Sequence, residues 1–169
     1  AAAVPLVRSL QPSEAAKAAG AAVEADISAL KPGEMMTVEW RGKPIWILKR
    51  TPEMLESLKK DEADLADTAN KSTNIPTPEY AKNQWRSRKE EVLVCVGICT
   101  HLGCSPSTKF TPGPQPSLPD NWQGGFLCPC HGSTFDLAGR VFKNKPAPDN
   151  LEIPPHTYLS DPRLLIGED

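Results

Sequence analysis

Two short boxes hold most of the side chains able to ligate a soft or borderline metal: Cys99-Thr100-His101-Leu102-Gly103-Cys104 and Cys128-Pro129-Cys130-His131-Gly132-Ser133. Four of the five cysteines and two of the three histidines lie in them. Each box supplies a Cys-x-His or Cys-x-x-His pair and one further Cys, giving six potential donors in all. That is too many for one tetrahedral ion. Structural zinc sites close with four donors and space paired ligands by two to four residues. Zinc here would strand two cysteines and use an uncommonly tight Cys-x-His pair, so a zinc ribbon or zinc-stabilised binding module fits poorly.

As quoted, the boxes resemble the pair found in Rieske iron–sulfur proteins. The resemblance implies a 2Fe-2S cluster with two Cys on one iron and two His on the other, a ligation that raises the reduction potential above that of an all-Cys ferredoxin. By it, Cys99 and Cys128 hold one iron, and His101 and His131 the other. In the quinol-oxidising branch of the family a disulfide ties the two loops, which the resemblance assigns here to Cys104 and Cys130. Rieske ferredoxins and ring-hydroxylating oxygenases generally lack it. Such a bridge, closing a loop of about 26 residues, contributes roughly 3 to 4 kcal/mol in the chain-entropy picture. It persists in an oxidising compartment.

Further roles follow from the same resemblance. Ser133 matches a serine whose hydroxyl bonds a bridging sulfide, and His131 a histidine that hydrogen-bonds quinol and accepts its proton. Leu102 belongs to an exposed apolar tip that docks in a cytochrome b subunit. Phe135 stands where many high-potential members have a tyrosine bonded to a cysteine sulfur. Pro146-Ala147-Pro148 corresponds to a proline loop shielding the cluster, although Lys145 replaces a frequent glycine. The implied activity is that of a subunit taking an electron and a linked proton from ubiquinol and passing the electron to a c-type cytochrome. Its place is the periplasmic side of an inner membrane, or the intermembrane-space side if mitochondrial. The small subunit of an arsenite oxidase can share both boxes and the disulfide, but a hinge-like segment speaks against it.

That segment lies at residues 13–25, where S-E-A-A-K-A-A-G-A-A-V-E-A has the small-residue composition of a linker. Before it, Ala1-Ala2-Ala3-Val4-Pro5-Leu6-Val7 resembles the end of an N-terminal membrane anchor, read at 1–12. No stretch reaches the ~20 apolar residues of a membrane span. A chain of 169 residues suffices for one domain with a core, here 26–169. With 39% hydrophobic residues and a net charge of -2, nothing favours nucleic acid or an anionic membrane surface as partner.

Eighteen prolines argue for loops and short strands. Alternation over Met35 to Trp40, a turn at Arg41-Gly42-Lys43-Pro44 and the run Ile45 to Leu48 predict a hairpin. Thr51-Pro52 then caps a short helix with Met54, Leu55 and Leu58 on one face. Asp61 to Arg88 reads as a long polar loop attached by Tyr80 and Trp85. Glu90 to Ile98 is a buried strand entering the first box, with Cys95 as inert core. Ser105 to Asn121, with five prolines, predicts an irregular excursion. Phe126-Leu127 leads into the second box, and a hairpin follows around Leu137-Ala138-Gly139. Leu151 to Ile153, Tyr158-Leu159 and Leu164 to Ile166 predict terminal strands, and His156 an exposed loop position. The fold class is mainly β: an antiparallel base domain with one short helix and a cluster-binding subdomain inserted at about 96–148.

Overall fold

Two uninterrupted apolar runs form the middle of the molecule. In the computed structural model, which describes residues 21–169, they are β3 (Lys43–Lys49) and β4 (Val92–Val96). The anchor stub read at 1–12 and residues 13–20 of the hinge lie outside the described residues. With β2 (Met35–Trp40), these strands make an antiparallel sheet in the order β2-β3-β4. Successive residues of a strand face opposite sides. Ile45 and Ile47 therefore join Val92, Val94 and Val96 in one core, while Trp46 and Leu48 join Leu93 and Cys95 in another. Both faces are buried, so the runs are continuous rather than alternating.

The first core is closed by a second antiparallel sheet of β1 (Val23–Asp26), β9 (Arg163–Ile166) and β8 (His156–Ser160), through Ala25, Leu164 and Ile166. The other is closed by a third, of β5 (Ser107–Lys109), β6 (Gly125–Leu127) and β7 (Thr134–Phe135). Here Phe126 stacks on Trp46 with ring centroids 4.8 Å apart. This small third sheet carries the second box and packs on the same core as Cys99, so the central sheet is the platform of the site. Helix α1 (Pro52–Asp61) starts as expected, with Thr51 Oγ1 accepting from Met54 N at 3.2 Å, and it buries Leu58.

Four details depart from the sequence reading. Val23–Asp26, partly within the hinge read at 13–25, is a strand paired with β9 from Val23↔Ile166 to Asp26↔Arg163. Ser107–Lys109 is a strand inside the stretch expected to be irregular. Leu151 and Ile153 are buried but lie in no strand; Leu151 N donates to Gly139 O and Val96 N to Glu152 O. His156 is not an exposed loop residue: it opens β8 and is 1% exposed. Its Nδ1 lies 2.8 Å from Pro154 O and its ring meets Tyr80 edge-on. Burial pushes its pKa down to about 4, so the ring is neutral at physiological pH.

Asp61, at the end of α1, has a buried Oδ2 without a hydrogen-bond partner. Desolvation, with Asp136 nearby, pushes its carboxyl up to about 7 against an ordinary 3.8. Between those values the folded chain holds a proton the unfolded chain has released, so this group costs stability as pH rises through the interval. The full shift corresponds to about 4 kcal/mol at most. Asp61→Asn is expected to be more stable than the parent in urea at pH 8 by ~1 to 3 kcal/mol, with most of the gain gone at pH 5. Equal gains at both pH values would contradict this.

Candidate metal centre

The two boxes fold into loops of the same construction. Cys99 N donates to Cys104 O at 2.7 Å and Gly103 N to Cys99 O at 3.1 Å; Cys128 N donates to Ser133 O at 2.8 Å and Gly132 N to Cys128 O at 3.0 Å. Gly103 and Gly132 take φ of +85° and +78°, the left-handed conformation that closes each turn, and a side chain at either would meet open space. The glycines are therefore there for conformation rather than room. Cys99 is the third residue after β4 and Cys128 follows β6 directly, so the sheets place one cysteine at the base of each loop.

Depth separates the donors. Cys99 and Cys128 are buried free thiols within the core. His101 is half-buried and His131 exposed, with ring centroids 4.8 Å apart at 81°. Cys104 and Cys130 are joined in a disulfide with Cα atoms 6.5 Å apart, and their sulfurs lie within 4.8 Å of Cys128 Sγ. The bridge removes two of the six donors and leaves two thiols and two imidazoles. Desolvation raises the Cys99 pKa, opposed by hydrogen bonds from the His101 backbone and from Ser133. His101 Nδ1 is buried with no hydrogen-bond partner, as expected of a nitrogen whose partner is a metal.

A third wall is tied to these loops. Ser133 Oγ, fully buried, accepts from Ala147 N at 2.9 Å, which holds the middle of Pro146-Ala147-Pro148 against the second box. Thr100 Oγ1 donates to Asp149 O at 2.5 Å from the first box. Lys145, before this loop, is exposed. Leu102 is 70% exposed at the tip of its loop, and Phe135 is fully buried in the core that includes Cys99 and Cys128. Cys95 is core, as read: burial pushes its thiol up to about 12. Thr100 and Asp149 carried no spacing or composition signal that could have singled them out.

Two thiols and two imidazoles would by count also suit zinc. The comparison with protein families decides, because the model of the Rieske [2Fe-2S] domain matches residues 21–155. The chain belongs to the Rieske [2Fe-2S] family. This Rieske chain is 56% identical over 167 residues to the ubiquinol-cytochrome c reductase iron-sulfur subunit of Allochromatium vinosum, covering 98% of the chain and 79% of that protein. It is 38% identical over 163 residues to the protein of the same name from Bradyrhizobium diazoefficiens, covering 96% and 81%. Among solved structures, a chain of a hyperthermophilic respiratory Complex III matches with a TM-score of 0.50 and 29% identity, over 96% of this chain and 87% of that one. The cofactor is thus a 2Fe-2S cluster, and the zinc readings fall.

Proposed function

We propose that this Rieske protein is the iron–sulfur subunit of a ubiquinol–cytochrome c reductase, taking an electron and a linked proton from ubiquinol and passing the electron to a c-type cytochrome. The observation that carries it is the arrangement at the loop tips: buried thiols beneath, exposed His131 and Leu102 above, and a disulfide across. Cys99, His101, Cys128 and His131 would hold the cluster. When bound it supplies one-electron chemistry at a potential raised by its two imidazoles.

The residues themselves do the rest. His131 offers a solvent-facing ring to a quinol hydroxyl, accepts its hydrogen bond and takes up its proton. Leu102 gives an apolar tip that seats in the cytochrome b subunit. Ser133, held by Ala147, directs its hydroxyl at Cys99. A hydrogen bond to sulfur strengthens as the sulfur gains charge, which favours the reduced state. Among the described residues no helix is long and apolar enough to cross a membrane. We assign anchoring and hinge to the segment before β1, with the cluster head on the periplasmic side, where the disulfide is stable.

Redox titration of the purified protein, followed by electron paramagnetic resonance at several pH values, tests the proposal. A mixed His/Cys 2Fe-2S signal with a positive potential falling at alkaline pH is expected. A potential near about -150 mV that ignores pH would indicate a ferredoxin role instead. Alone, the chain should not oxidise quinol at enzymatic rates, because the other half of the quinol site belongs to cytochrome b.

Phe135→Tyr bears on the potential. Phe135 shares its core with both buried thiols, and a hydroxyl there can donate to cysteine sulfur. If that bond is stronger in the reduced state by about 1 to 2 kcal/mol, the potential rises by roughly 40 to 90 mV. An unchanged or lower midpoint would refute it.

A further inference from the structure

We propose that Asp149 is a charge-tuning residue of this Rieske centre, lowering its reduction potential from outside the ligand set. Asp149 follows Pro148 in the proline loop and is 7% exposed. Its backbone oxygen accepts from Thr100 Oγ1 at 2.5 Å, and Thr100 lies between Cys99 and His101, so Asp149 is one hydrogen bond away from the first box. Its Oδ1 accepts from the hydroxyl of Ser72. Ser72 is fixed in turn: its N–H donates to Asp67 Oδ2 at 3.0 Å, while Asn150 Nδ2 donates to Asp67 O at 3.0 Å.

No Lys, Arg or His forms an ion pair with Asp149 among the described residues. The carboxylate contact given by the structure is a neutral hydroxyl, which orients the charge without cancelling it. Coulomb interactions weaken with distance and with the surrounding dielectric, so a buried, unpaired carboxylate acts on a neighbouring site more strongly than one on the surface. Reduction adds one negative charge to the centre. A negative charge on the residue whose backbone oxygen bonds Thr100 of the first box opposes that addition, and the potential is held below the value the ligands alone would set. The inference needs the cluster but not quinol turnover, so it can fail while the proposed activity stands.

The test uses cluster-loaded protein and its midpoint potential at pH 7, with the reduced-state paramagnetic spectrum as a second readout. Asp149→Asn keeps the shape and an oxygen for Ser72 but removes the charge; Ser72→Ala removes the hydroxyl and keeps the charge. Asp149→Asn is expected to shift the midpoint upward with its spectrum unchanged, and Ser72→Ala to shift it less. Asp149→Ser, a second neutral variant, should also move it upward if the amide is poorly tolerated. An unchanged or lower midpoint in the neutral variants, or equal upward shifts in Asp149→Asn and Ser72→Ala, would overturn the assignment, the latter by making packing the cause.

Discussion

Serine at both positions of the Cys104–Cys130 bridge is expected to cost about 3 to 4 kcal/mol of stability and to shorten the life of the bound cluster. The bridge spans a sequence separation of 26 residues, a large loop to leave open in the unfolded chain. Its native effect is local. Leu102, Gly103, Pro129 and Cys130 are exposed, so the loop tips bury little apolar surface and depend on the bridge and a few backbone bonds. Both positions must change together. A single Cys104→Ser would free Cys130, whose sulfur lies within 4.8 Å of Cys128 Sγ, and a wrong bridge would consume a buried thiol proposed to hold the cluster. Denaturant unfolding and the decay of visible absorbance should both show the loss, and dithiothreitol on the parent should reproduce it. Unaltered stability and colour in the double variant would mean that the core beneath Cys99 and Cys128 holds the loops by itself.

The boxes were legible because the covalent spacing of Cys and His is itself the signal, while the pairing of Cys104 with Cys130 rested on family resemblance. β3 and β4 were legible because a strand buried on both faces leaves an unbroken apolar run. Shorter signals failed for definite reasons. Val23–Asp26 is four residues long, with one buried side chain, Ala25, too few to show alternation against a background of small residues. His156 follows two prolines, which suggest a loop, but its ring is enclosed by Tyr80, whose hydroxyl accepts from His156 N at 2.9 Å. Tyr80 lies 76 residues earlier in the chain. The polar stretch from Asp61 to Arg88 is attached through Tyr80 and Trp85 as the sequence predicts, both packed against the core beneath the boxes. Its further anchors are buried cations, which composition counts as exposed.

Arg86 is the test of that last point. The side chain is 1% exposed and has no carboxylate in hydrogen-bond contact. Nε donates to Asn70 Oδ1 at 2.6 Å, one terminal nitrogen reaches the carbonyls of Ala138 and Gly139, and the other donates to Thr77 Oγ1. Arg50 makes a parallel set of bonds to Trp85, Leu137 and Glu90 carbonyls, so two guanidinium groups fasten the long loop to the turn between β7 and Val141. Burial lowers the Arg86 pKa to about 10, still far above neutrality, and the cation is retained. Arg86→Ala leaves several buried acceptors without donors and opens a void, at a cost of about 3 to 5 kcal/mol. Arg86→Lys should recover little, because a single ammonium cannot reach three directions in a plane. The same loop carries Ser72, the partner of Asp149. Loosening it should therefore be felt at the first box as a changed midpoint potential under conditions where the variant remains folded. Protease cleavage between Leu65 and Arg88 at wild-type rates in Arg86→Ala, with unchanged unfolding, would show that Arg86 is a passenger in the fold.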